Sequence, residues 1–127
     1  MAEEGHEFDK LDKLGDPRFR QILDKLWEIH CEKTADYGSE EDPLANLRAS
    51  GKWGFPAWVG TLMRAGDKDY RLEQFWAKGG VVNDSVDDDF LDRASYTILA
   101  YILFLEWQDV RRGTKPVTSS SDPAPGK

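Results

Sequence analysis

A chain of 127 residues, 39% hydrophobic and holding five Trp, six Phe and four Tyr, is long enough for one domain with a real core and too short for two ordinary ones. Its formal net charge of -7 excludes duplex nucleic acid as an expected partner, because no basic excess exists to displace condensed counterions, although a local Lys and Arg cluster still fits a small anion. The single cysteine, Cys31, rules out an internal disulfide, the N-terminus Met-Ala-Glu-Glu-Gly lacks the signal-peptide pattern, and the apolar run from Thr97 to Leu105 is about half a bilayer span, so a cytoplasmic protein with no membrane partner is expected.

Residues 1–15 are polar and residues 113–127 are rich in Pro, Ser and Gly, so both read as flexible tails around one helical domain at 16–112. The first helix is expected to start with Asp16 as N-cap and Pro17 at its first position, and to end at Gly38 as a left-handed C-cap. Its apolar face is Phe19, Ile22, Leu23, Leu26, Trp27, His30 and Thr34, with Lys33 and Asp36 at the edge. His30 reads as a core residue rather than a ligand, and Cys31 has no neighbouring base to activate its thiol. Residues 39–54 contain too many breakers for a long element and leave room for a helical turn or two at 43–49.

The second helix should begin at Pro56 and run to about Trp76. At 100° per residue, Gly60, Arg64, Asp67, Lys68 and Arg71 fall in one sector, while Trp58, Val59, Leu62, Met63 and Tyr70 occupy the others. After a break at Gly79-Gly80, the third helix starts near Ser85 or Asp87, where Asp87, Asp88 and Asp89 suit the positive end of its dipole, and continues to about Arg111. Apolar on all sides in its middle, it should be the central helix. No stretch alternates with period two. The expected fold is all-α, a small bundle of three main helices with a long loop after the first, completed by homo-oligomerisation that covers the remaining apolar surface.

On the third helix Ser85, Asp88 or Asp89, Asp92 and Tyr96 share a face with Leu99 and Leu103. If those leucines point inward, Asp92 does too, and a buried carboxylate needs a partner: Lys33, Arg64, Lys68, Arg71 or a divalent cation. Arg64, Asp67, Lys68 and Arg71 fit a solvated face laced by i,i+3 and i,i+4 pairs, but because a short bundle has few faces to spare they are read as a phosphate-contacting or site-organising cluster.

Three elements together, Lys33-x-x-Asp36-Tyr37-Gly38, Arg64-x-x-Asp67-Lys68-x-x-Arg71, and an acidic helix start with Asp92-x-x-x-Tyr96, resemble the phage and bacterial group called nucleotide modification associated domain 1. The layout is also similar to the MazG-like all-α nucleoside triphosphate pyrophosphohydrolases. There the first acidic motif ends in Glu-x-x-Glu, whereas here Glu28 and Glu32 are four apart and Asp36 follows; the second, Glu-x-x-Asp, falls on Asp89 and Asp92. The resemblance spans about residues 20–107 and implies Mg²⁺ held by Glu32, Asp36, Asp89 and Asp92, with hydrolysis of a nucleoside triphosphate to monophosphate and pyrophosphate. It further implies a nucleotide contacted by Lys33, Tyr37, Arg64, Asp67, Lys68, Arg71 and Tyr96. Two other readings stand beside it: a non-catalytic binder of a nucleotide or signalling nucleotide, and a helical interaction or oligomerisation module.

Overall fold

The structure, a computed structural model, describes residues 13–37, 42–81 and 84–113. Most of both expected tails, and the expected cap at Gly38, lie outside the described residues. Among the described residues every regular element is helical, as the periodicity predicts: α1 (Pro17–Tyr37), α2 (Ala45–Arg48) running into a 3-10 turn at Ala49–Trp53, α3 (Ala57–Ala77) and α4 (Asp84–Arg111). The chain divides into two compact units, residues 1–32 and 33–127.

In the first unit, Asp16 starts α1 as anticipated. Its Oδ1 accepts the backbone N–H of Arg18 at 2.9 Å, and its carbonyl accepts that of Phe19 at 2.9 Å, so two otherwise orphaned donors are satisfied. Pro17 needs no such partner because it has no N–H. Of the predicted apolar stripe Leu26 is buried, while Phe19, Ile22, Leu23 and Trp27 stay exposed; the Trp27 and His30 rings lie 5.8 Å apart.

The second unit is organised by α3 and α4. Gly79 and Gly80, with φ of 103° and 71°, terminate α3 by sending their N–H groups to Trp76 O (3.1 Å) and Phe75 O (3.0 Å), a paired closure that a residue with a Cβ resists at positive φ. The chain then returns as α4. The cross-helix partners Arg71 with Asp89, Lys68 with Asp92 and Trp58 with Phe104 run in opposite order along the two helices, so α3 and α4 are antiparallel. The inner side of α3 is lined by Ala57, Thr61 and Ala65, one turn apart and all buried, which permits close helix approach. The Thr61 hydroxyl is accommodated there by donating to Ala57 O at 2.8 Å.

The segment between α1 and α3 is a structural part of this unit. The expected helical turn is present as α2, and the core cluster joins Leu44, Leu47 and Ala57 to Leu103 of α4, with Trp58, Tyr96 and Leu99 packed against it. Gly54, at φ 89°, ends the 3-10 turn, and Pro56, just before α3, holds the extended conformation that sets the new helix direction. At the far end of the α3–α4 pair, the Trp58 ring meets Phe104 at 5.5 Å and Trp107 at 5.6 Å. The Trp58 Nε1 is buried with no hydrogen-bond partner among the described residues.

The third predicted helix, α4, buries one side through Val86, Asp89, Ala100 and Leu103. Its opposite side remains open to water, so its all-round apolar character is only half used within the described chain.

Candidate functional site

Asp89 and Asp92 stand one turn apart on the side of α4 that faces α3. Asp89 is 6% exposed and is met by two cations of α3: Arg71 Nε lies 3.1 Å from Oδ1 and 3.3 Å from Oδ2, and Lys68 Nζ lies 3.8 Å from Oδ1. Asp92 is half-buried and bridges Lys68 Nζ at 3.4 Å and Lys33 Nζ at 2.9 Å. Lys33, in the C-terminal part of α1, also holds its ammonium 5.9 Å from the centroid of the Tyr96 ring. The result is one connected ladder, Lys33–Asp92–Lys68–Asp89–Arg71, in which three cations face two carboxylates.

Each member sits where helix geometry sends it. Lys68 and Arg71 are three apart on α3, and Asp89 and Asp92 are three apart on α4, so an antiparallel pair of helices brings the two dyads level. The inward register of Leu103, which is buried, carries Asp92 toward the interior as its face requires. Lys33 is the one member supplied from outside this helix pair.

The other predicted residues are placed differently. Arg64 and Asp67 lie on the same side of α3 but are exposed and make no ion pair among the described residues; Glu32 and Asp36, on α1, are exposed and likewise make none. The side chain of Tyr37 lies outside the described residues. Among the described residues no three His, Cys, Asp or Glu side chains gather into a group able to hold a metal ion, so Asp89 and Asp92 stand as a pair. Next to the ladder, Arg93 of α4 pairs with Asp69 of α3 at 2.8 Å and also donates to the Thr97 hydroxyl.

A second charge network escaped the sequence analysis. Arg48, at the end of α2, directs Nη1 to Glu106 Oε2 at 2.7 Å and Nη2 to Glu106 Oε1 at 3.3 Å, while its Nε donates to Asp42 Oδ2 at 2.7 Å. The hydrogen bond to Glu106, reinforced by Asp42, pushes the Arg48 guanidinium above its already high ordinary value against the opposing effect of burial. The signal was present: Glu106 interrupts the apolar run of α4, and the reasoning that demanded a cation for Asp92 demands one for it as well.

No family model matches the chain, and neither the curated proteins nor the solved structures yield a match. Among the described residues no helix is long and apolar enough to cross a membrane.

Proposed function

We propose that this protein binds a small phosphorylated ligand, of the nucleotide class implied by the family resemblance, on the cationic side of the ladder. The observation that carries this reading is the surplus of charge: Lys33, Lys68 and Arg71 converge on only two carboxylates. Exposed Arg64, one turn from Lys68, adds a fourth cation on that side of α3. A phosphate offers the same charge-assisted acceptor oxygens that Asp92 now presents to two lysines, and it gains Arg64 without stripping Asp89 of Arg71. Calorimetry with a panel of nucleotides and inorganic phosphate tests this. Lys68→Ala and Arg64→Ala are each expected to weaken binding about tenfold, equivalent to 1.4 kcal/mol. Unchanged affinity in both variants overturns the reading.

A second reading, Mg²⁺-dependent hydrolysis of a nucleoside triphosphate, is favoured by the spacing of Asp89 and Asp92 on one face, since Mg²⁺ characteristically takes one or two carboxylates with phosphate oxygens. As folded, both carboxylates already face cations and no third acidic group joins them, so the pair fits a metal less well than the ladder fits an anion. Pyrophosphate release followed by ³¹P NMR, with and without Mg²⁺ and with Asp92→Asn, separates turnover from binding.

A further inference from the structure

We infer that two copies of this chain pair through the open side of α4, antiparallel about a two-fold axis passing between residues 99 and 100. The stripe on that side is Leu91, Ala94, Ile98, Tyr101 and Leu105, spaced three, four, three and four, the repeat of a helix seam that meets another helix. It lies opposite the buried Val86, Ala100 and Leu103 that pack toward α3. Ile98 is 46% exposed, Tyr101 62% and Leu105 41%, and Phe90 and Ile102 flank them in the open. Leu91 and Ala94 are half-buried, and a monomer seldom leaves an apolar line such as Ile98, Tyr101 and Leu105 uncovered. The 28 residues of α4 extend about 42 Å, room for the roughly 800 Å² per partner that a stable interface uses.

The charges at the two ends of the stripe identify the occupant. Continuing the same register outward reaches Asp87 one step before Leu91, and Gln108 and then Arg112, just past the end of α4, beyond Leu105; Asp87 and Arg112 are both exposed and neither is ion-paired among the described residues. Laid antiparallel on a second copy, Asp87 meets Arg112 of the other chain and Arg112 meets its Asp87. Within the same register Ala94 faces Leu105, small against large, and Ile98 faces Tyr101. The opposed helix dipoles add to the fit. The stripe is thus its own complement, a property that another protein's helix has no reason to share. The ion-pair ladder lies on the α3 side of α4, so association and ligand binding are separable.

Sedimentation equilibrium of the full chain tests the proposal. The expected species at tens of micromolar is a dimer, twice the 14.5 kDa of the chain. Asp87→Arg alone and Arg112→Asp alone each place two like-charge contacts in the interface and should raise the dissociation constant about tenfold or more. The double exchange Asp87→Arg with Arg112→Asp should restore it to within about threefold, whereas Leu105→Glu should leave a monomer with unchanged helical circular dichroism. A monomeric wild type overturns the proposal. So does a dimer that ignores both charge reversals, or one that the double exchange fails to rescue.

Discussion

Arg48 reaches 58 positions along the chain to Glu106 and holds it with both terminal guanidinium nitrogens, at 2.7 and 3.3 Å. This fork ties the segment after α1 to the C-terminal part of the last helix, and Asp42 Oδ2, 2.7 Å from Nε, completes it. Arg48→Met should cost about 2 kcal/mol in denaturant unfolding, because it strands two half-buried carboxylates. Arg48→Lys, which keeps the charge and loses the fork, should recover less than half of that. The guanidinium is held above its already high ordinary value, chiefly by the hydrogen bond to Glu106. With Glu106 and Asp42 ionised, its contribution is therefore complete below that value and is lost only as pH rises through the still higher folded value.

Two glycines of α3 should respond to alanine with opposite signs. A Cβ on Gly60 would stand 2.6 Å from both Cβ and Oγ of Ser50, whereas one on Gly66 would meet nothing within 4 Å. Gly60→Ala forces the 3-10 turn away from α3 and should destabilise by about 1–3 kcal/mol. Gly66→Ala should stabilise by up to about 1 kcal/mol through helix propensity. Thermal unfolding of the two variants provides the comparison, and equal shifts would mean that the Ser50 contact is absent.

Within the ladder the two carboxylates should separate by burial. Asp89→Asn removes the charge from a 6% exposed site between Lys68 and Arg71 and should cost about 3 kcal/mol. Asp92→Asn releases Lys33, whose side chain is half exposed, back toward water, so about 1 kcal/mol is expected. Urea unfolding at low and at high salt should show the Asp92 effect shrinking with ionic strength more than the Asp89 effect.

The start of α1 should be pH-dependent. Arg18, through its side chain first and its backbone N–H second, holds the Asp16 carboxyl below its ordinary 3.8. The cap is therefore intact above that ordinary value and is lost as pH falls through the lower folded one. Amide chemical shifts of Arg18 and Phe19 should stay constant from neutral pH to about pH 4 and move below it. Asp16→Asn, which can still accept the Arg18 N–H, should remove that acid step.

What the sequence revealed is what local chemistry determines. Asp16-Pro17 marked the first residue of α1, Gly79-Gly80 marked the end of α3, and the helical register of Asp92 with Leu103 demanded a cation that Lys33 and Lys68 supply. What it did not reveal depends on tertiary contact. A four-residue helix such as α2 is too short to persist alone, so its place follows from Leu44 and Leu47 meeting Leu103, residues far apart in the chain. The apolar period of Phe19, Ile22, Leu23 and Trp27 likewise announced a face without saying what would cover it, and in the structure these side chains remain exposed.

The tryptophans give the molecule an optical signature. Trp58 meets Phe104 and Trp107 edge-on between α3 and α4 and both indoles are half-buried, whereas Trp27, Trp53 and Trp76 face solvent. Fluorescence should consist of a blue component from the half-buried indoles over a redder, quencher-accessible one from the exposed three. An iodide titration would remove the red component first, and the blue remainder would then follow the parting of the two long helices alone, unclouded by events elsewhere in the chain.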